Sequence, residues 1–414
     1  MKKLLLIIVS ALFLLFFLAP NYLLAINQYK SPEGNGGELS YFPESYDGSK
    51  ARFSTYSSLF QDKWKDVKET SYRVDQKENL SIDLLQADAA KEKKKLVILS
   101  SATHGIEGYT GSAMQDVFVK EYLKKLDPET TGVLLIHGVN PWGMKHFRRY
   151  TKNNVDLNRN FIYDWNNFDR NTNKKYTELS AFMEKPSGIS SIGIHDSAFY
   201  GELAVKAATK GTSVIKDALL NGQYTNPKGV YYGGNGDEPS TVIMKQLFEK
   251  VLKGPYQDII HIDLHTGYGP RYQMSIFSSV SETMKEAEAK KAFRYPLVFT
   301  PDSKEFYVTN GDMTEYFYKR KTAIAPEKKL YSTTFEFGTL GDDTIGSIQS
   351  LKRTIEENQL FQHGTNSSAS RTIIQNRYKE MFYPSEAEWR IKAVKDFRQA
   401  LNGVMMNKGF FSSK

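Results

Sequence analysis

Cysteine is missing altogether from the 414 residues. Its absence excludes disulfides, thiol catalysis, lipid attachment to a leader cysteine and every thiolate metal site. A metal, if the chain binds one, must be held by histidine and carboxylate, and there are seven histidines to draw on. Charge of one sign does not dominate either: 55 basic against 47 acidic residues leave +8, or +6 once Lys2 and Lys3 are set aside. So modest an excess, with the lysines around 91–95, 120–125 and 319–321 read as solvated faces, points to no nucleic-acid partner. Long apolar runs are scarce. The one near the start, Leu4 to Ala19, follows Lys2 and Lys3 and ends at Pro20 and Asn21. As a helix it spans about 24 Å, short of the roughly 30 Å hydrocarbon core unless Leu23 to Ile26 contribute. Residues 1–26 therefore read as a signal peptide or a signal anchor. Attachment to the membrane through residues 4–26 and secretion after cleavage near Ala25 both stay open, and the body is expected outside the cytoplasm.

What is present suffices for a folded domain: 40% of residues are hydrophobic and 13% aromatic. The polar, Gly-rich stretch SPEGNGGE lies in an expected linker, 27–40, followed by one domain over 41–402 and a tail over 403–414. Residues 52–67 have helical spacing, and YRVDQ and LSIDLLQAD alternate like the strands of a hairpin. Four apolar runs read as core strands: KLVILSS (95–101), GVLLIHGVN (132–140), DIIHIDLHTG (258–267) and YSTTFEFG (331–338). The amphipathic GSAMQDVFVKEYLKKLD between the first two completes a strand, helix, strand unit. The expected fold is thus α/β, a mixed, largely parallel twisted sheet flanked by helices. Further helices are expected over 171–183, 240–252, 281–293 and 386–402. Residues 185–238, rich in Gly, Ser, Tyr and Asn, read as long loops with short helices on the substrate side.

Polar residues gather where the apolar runs stop. His104 and Glu107 follow 95–101, Asn140 closes 132–140, His265 closes 258–267 and Glu336 lies near the end of 331–338. Ligands of open parallel sheets bind at the carboxyl ends of the strands. A catalytic zinc takes three ligands from histidine and carboxylate and keeps one position open, while a carboxylate outside the ligand set moves the proton. His104, Glu107 and His265 fit the first role and Glu336 the second. The plainer reading of a strand-end histidine is one bonded to backbone. His261, four residues before His265 on the same strand face, reads as core or as support for the site.

The segment NPWGMKHFRRYTKNNVDLNRNF, residues 140–161, resembles the pattern of the zinc carboxypeptidases, the M14 metallopeptidases. YVTNGDMTEYFY, from Tyr307, has the spacing of that family's mobile tyrosine segment. With SSATHGIEGYTGSAMQ, GQYTNPKGVYYGG and DLHTGYG added, the resemblance narrows to the DUF2817 branch and covers about 41–402. It implies a carboxypeptidase-like (phosphorylase/hydrolase-like) fold, one Zn2+ per chain on His104, Glu107 and His265, and hydrolysis of an amide. It further implies that Asn158 and Arg159 grip the substrate's terminal carboxylate, joined by Arg148 or Arg149, bidentate contacts that lysine does not reproduce. Arg149 is the choice for polarising the scissile carbonyl, with Arg148 the alternative, and Tyr307 is the mobile tyrosine. Asp156 reads as structural. The expected function is an exported zinc-dependent carboxypeptidase acting on peptides. The alternatives are a zinc deacylase of small N-acyl amino acids, like the succinylglutamate desuccinylases and aspartoacylases, and an envelope binding protein that kept the fold without catalysis.

Overall fold

The computed structural model describes residues 36–211, 215, 218, 221–304, 306 and 308–411. The expected leader, most of the expected linker and Tyr307 lie outside the described residues. Among those described, no helix is long and apolar enough to cross a membrane.

Chain order begins with helices α1 (Tyr46–Ser54) and α2 (Tyr56–Gln61), strands β1 (Asp66–Asp75), β2 (Leu80–Asp88) and β3 (Lys95–Ser101), then α3 (Gly108–Val117) and β4 (Thr131–His137). Helices α4 (Pro141–Lys145), α5 (Lys174–Met183), α6 (Ile192–Lys210) and α7 (Pro239–Lys253) lead to β5 (Asp258–Gly267) and β6 (Met274–Ser278). The remainder is α8 (Glu286–Phe293), β7 (Val298–Phe299), α9 (Met313–Ile324), β8 (Lys329–Gly338), α10 (Thr344–His363), α11 (Ser368–Phe382) and α12 (Ala387–Asn407).

The strands form one sheet in the order β1-β2-β4-β3-β5-β8-β6-β7. Its centre, β4-β3-β5-β8, is parallel, while β1, β2 and β6 join antiparallel. The central runs are apolar throughout because both faces are covered, and alternate residues go to opposite faces. Val97 and Leu99 pack with α1, α3 and α12 on one side, Leu96 and Ile98 with α7 and α9 on the other. From β3 the chain turns outward to β4 and later returns to β5 on β3's other flank. That reversal opens the crevice at the strand ends where α/β sheets bind ligands.

Several boundaries differ from the expectation. Residues 52–67 are not one helix: α1 and α2 end by Gln61 and β1 begins at Asp66. Part of the expected linker is structured, since Gly37–Tyr41 forms a 3-10 turn and Glu38 pairs with Arg398 at 3.0 Å. The expected tail from 403 is helix as far as Asn407, and Phe410 and Phe411 are buried beyond it. Gly403 reads locally as a stop but serves close packing: a Cβ there would lie 1.7 Å from the Phe293 carbonyl oxygen. Within 185–238, where long loops with short helices are expected, α6 is a 19-residue helix. Its apolar residues do not form one stripe, for Ile194 and Val205 are exposed while Phe199 and Leu203 pack against α5 and α10.

Candidate metal centre

β3 ends in a backbone turn at Ala102, whose φ of 64° is left-handed. The turn carries the chain across the strand end, where Asn140 N–H donates to the Ala102 carbonyl at 2.7 Å. Asn140 also caps α4, its Oδ1 accepting from Gly143 N–H at 2.9 Å, with Pro141 at the first helical position. Gly105 lies against this helix so closely that a Cβ would stand 2.2 Å from the Gly143 carbonyl carbon. Gly143 is packed just as tightly, since a Cβ there would lie 2.5 Å from Asn140 Nδ2 and 2.7 Å from the Arg148 carbonyl oxygen. Gly105 and Ile106 N–H donate to the carbonyls of Arg149 and Arg148, at 3.1 and 2.9 Å. The His104 loop and the arginine segment are thus strapped together.

Within this frame His104, Glu107 and His265 converge, all buried, with ligand atoms inside 4.8 Å of one another. His104 Nδ1 lies 2.9 Å from Glu107 Oε1, His265 Nδ1 3.1 Å from Glu107 Oε2, and the two Nδ1 atoms are 3.1 Å apart. Thr266 N–H donates to Glu107 Oε2 at 2.9 Å. On the far side of each ring stands a carboxylate. His265 Nε2 meets Asp263, which accepts from Ser100 Oγ at 2.6 Å and Thr103 Oγ1 at 3.1 Å. His104 Nε2 lies 3.0 Å from Asp156 Oδ1. A carboxylate on the outer nitrogen places the proton there and turns the Nδ1 lone pair inward. Two inward lone pairs and one carboxylate form the donor set of a cation such as zinc.

The charge inventory agrees. Glu107, Asp156 and Asp263 are three buried carboxylates whose partners are the Arg149 guanidinium and the two histidine rings, with Arg159 acting on Asp156 as well. Arg149 donates from Nε to Asp156 Oδ2 at 2.9 Å and from Nη1 to Glu107 Oε1 at 3.1 Å. Its Nη2 is also 2.7 Å from His104 Nε2. A guanidinium only donates, so this contact and the His104–Asp156 bond are alternatives for one ring nitrogen. Burial alone would push Glu107 up, but the facing His104 and His265 rings hold its carboxyl well below the usual range. At Asp156 burial is likewise outweighed, by Arg149 and then His104.

Glu336 sits directly beside His265 in the β5–β8 register and is half-buried. Its Oε1 accepts from Tyr268 N–H at 2.9 Å. Burial, then the charge of Glu107, pushes it up to about 8. It borders a cleft together with His104, His265, Arg149, Asn158 and Arg159. The Asn158 amide holds the start of α9, accepting from Met313 N–H at 2.9 Å and donating to Asp312 at 3.0 Å. Arg159 is buried beside it and donates to the Asn158 carbonyl at 2.9 Å.

Arg148 is not brought to the cleft. It points to the other side of its segment, where it forms a bidentate pair with Glu357 at 2.5 and 3.1 Å and lies over the Phe361 ring. Of the two candidate arginines, only Arg149 borders the site. His261 lies in the core and not at the site: its Nδ1 and Nε2 are within 2.8 and 2.9 Å of Ser332 and Ser100 hydroxyls, and burial pushes its ring down to about 4.

Three contributors were not singled out beforehand as site residues. Asp263 is two positions before His265, and period-two alternation puts both on one strand face. Asp156 is separated from His104 by 52 residues, which no local pattern spans. Tyr231, at φ 54°, borders the cleft with its ring 5.6 Å from the Arg149 guanidinium. It is held there because Asn154 donates to the Pro227 and Gly229 carbonyls and Asn160 to those of Gly233 and Gly236. The asparagines of NNVDLNRNF therefore bind the PKGVYYGG loop.

The family described as protein of unknown function DUF2817 matches residues 42–396. No curated protein matches the chain. Among solved structures the chain is similar to thrombin activatable fibrinolysis inhibitor, at 14% identity over 83% of this chain and 76% of that one, with a TM-score of 0.47. It is also similar to the carboxypeptidase A of Helicoverpa armigera, at 14% identity over 84% and 77%, TM-score 0.42. A succinylglutamate desuccinylase from Silicibacter sp. TM1040 is similar at 14% identity over 72% and 67%, TM-score 0.34.

Proposed function

The chain belongs to the DUF2817 family, and from that premise we propose that it is a zinc-dependent hydrolase cleaving the amide bond next to a free carboxylate, a carboxypeptidase acting on peptides. The observation that carries this reading is the buried His104, Glu107 and His265 set, each histidine backed by a carboxylate, with Glu336 outside the ligand set on the same cleft. When bound, zinc supplies Lewis acidity, polarising a carbonyl and acidifying water. The chain's own residues do the rest. Asp156 and Asp263 orient the histidines. Glu336, fixed through one oxygen by Tyr268 N–H, uses the other to take the proton of the attacking water and pass it to the leaving nitrogen. Arg159, with Asn158 beside it, binds the substrate's terminal carboxylate, and Arg149 stands at the edge of the ligand set to polarise the scissile carbonyl.

A small N-acyl amino acid, the substrate of a deacylase, is the second reading, and the two are told apart by assay. The test is a peptide and its C-terminally amidated form, assayed with zinc-loaded protein. The amide should be the poorer substrate by at least about tenfold, because a buried guanidinium loses its partner. Equal kcat/KM for the two would sink the exopeptidase reading. The apolar run from Leu4 to Ala19 behind Lys2 and Lys3 supports export as well. Cell fractionation should then find the protein in membrane or extracellular fractions, and N-terminal sequencing distinguishes an intact anchor from cleavage near Ala25.

A further inference from the structure

Tyr231 holds a backbone conformation that suits glycine better than tyrosine. Its φ of 54° is left-handed, where a Cβ crowds the following carbonyl oxygen, although Gly229, Gly233 and Gly234 stand in the same loop. Such strain persists only where the surroundings fix it. Here they do: the Tyr231 carbonyl accepts from Gln223 N–H at 3.0 Å, and its own N–H donates to the hydroxyl of buried Tyr150 at 3.4 Å. The next carbonyl, that of Tyr232, accepts from Asp156 N–H at 2.7 Å. Asp156 in turn bonds His104 and Arg149 through its side chain, so the loop is held in register with the candidate metal centre. Packing accounts for the Tyr231 ring but not for its hydroxyl. The ring lies 5.6 Å from the Arg149 guanidinium and edge-to-face with Tyr150 at 6.4 Å, contacts that a phenylalanine would make equally. The hydroxyl bonds to nothing among the described residues and is not closed off from solvent, on a residue that borders the cleft. Arg149, meanwhile, already donates to Asp156 and Glu107.

We infer that Tyr231 is a further catalytic residue, its hydroxyl donating to the carbonyl oxygen of the amide being cleaved, the same oxygen that Arg149 polarises. This rests on the reading of the cleft as the place of amide hydrolysis. A neutral donor held by a strained backbone is fixed before the substrate arrives, and its bond strengthens as the oxygen takes on negative charge. It therefore contributes to turnover more than to substrate binding.

Tyr231→Phe isolates the hydroxyl, because phenylalanine meets the same backbone strain and keeps the ring over Arg149. The zinc-loaded full chain is assayed with benzoylglycyl dipeptides ending in each standard amino acid, and the one cleaved fastest serves for comparison. With it, kcat of the variant should fall by about 10²-fold or more, the effect of one donor lost from a developing oxyanion, while KM changes little. A phosphonate analogue of that peptide, tetrahedral where the amide carbonyl was, should bind the variant at least about tenfold more weakly in calorimetry. The free terminal amino acid should bind both proteins equally. A variant kcat within a few-fold of the unaltered protein, or an unchanged phosphonate affinity, would overturn the inference and leave Tyr231 as packing. A raised KM with kcat unchanged would overturn it too, since the hydroxyl would then bind substrate and transition state alike. In each of these cases the unaltered protein still cleaves the peptide, and the hydrolase reading stands. A chain that cleaves none of the peptides removes the carboxypeptidase reading, and this inference with it.

Discussion

At the strand ends His104, Glu107 and His265 bring their ligand atoms within 4.8 Å of one another, and between α6 and α10 His195, Asp196 and Glu356 do the same. Residue types and spacing barely distinguish the two groups. Their surroundings do. Asp196 accepts from Lys352 at 2.6 Å and from both terminal nitrogens of Arg377 at 3.2 and 2.9 Å. Glu356 accepts from Arg377 at 2.7 Å and also pairs with Lys352. Two carboxylates meet two cations, and the group is neutral as it stands. At the strand ends three carboxylates have the Arg149 guanidinium and the two histidine rings as partners, with Arg159 acting on Asp156, and the two histidines are each backed by a carboxylate that turns a lone pair inward. Clustered ligand-type residues therefore do not make a metal site until the charges around them are counted. A saturated cluster has no electrostatic reason to take up a divalent ion.

Metal content tests this contrast most directly. His265→Ala should lose stoichiometric zinc, and activity with it, whereas His195→Ala should keep one zinc per chain. Elemental analysis of the two purified variants decides, and full zinc in folded His265→Ala would refute the ligand assignment. Next in size is Glu336→Gln, which keeps shape and zinc but removes proton transfer. Turnover should fall by about 10²- to 10⁴-fold. Activity within a few-fold of the unaltered protein would mean that another group is the base, and Glu107→Gln serves as the contrasting variant because it should weaken zinc binding itself. Stability is the readout at the neutral cluster. Arg377→Met leaves Lys352 as the cation bonded to Asp196 and Glu356 and should cost about 3–5 kcal/mol in denaturant unfolding, with zinc content unchanged. A stability change below 1 kcal/mol (roughly the level of exposed pairs) would show that the cluster is not the tight ion network described. Smallest is Asp156→Asn, which keeps a polar partner for His104 but removes its charge. Zinc affinity, measured by competition with a chelating dye, should weaken by about 10- to 100-fold. Unchanged affinity would assign Asp156 to Arg149 rather than to His104.

Much of the sheet was legible because its strands are short apolar runs with period-two alternation or none. β3, β5 and β8 fall where those runs lie, and the polar residues that close them, His104, His265 and Glu336, necessarily meet at one edge of a parallel sheet. Helices α9, α10 and α11 have no counterpart among the expected elements, and α6 lies in the stretch that reads as long loops with short helices. In α10 the buried face includes Lys352, Glu356 and Glu357, so the hydrophobic period that marks a helix is absent where charged residues are buried in pairs. Arg148 and Arg149 are neighbours in sequence and identical in type. The left-handed φ of 53° at Phe147 belongs to the bend that sends them to opposite sides, and phenylalanine carries no turn signal.

The amino-acid sequence by itself determined the kind of metal donor, since without cysteine only imidazole and carboxylate remain, and the strand-end positions from which those donors come. Those properties are local: composition needs no fold, and alternation repeats every two residues. Tertiary structure alone decided which arginine borders the cleft, that Asp156 backs His104, and that the His195 group is already neutral. Each of these depends on contacts between residues far apart in the chain, as with His104 and His265 across 161 positions. Electrostatic energy sums over neighbours in space, whatever their separation in sequence, so the balance of charge at a buried group exists only once the chain has folded.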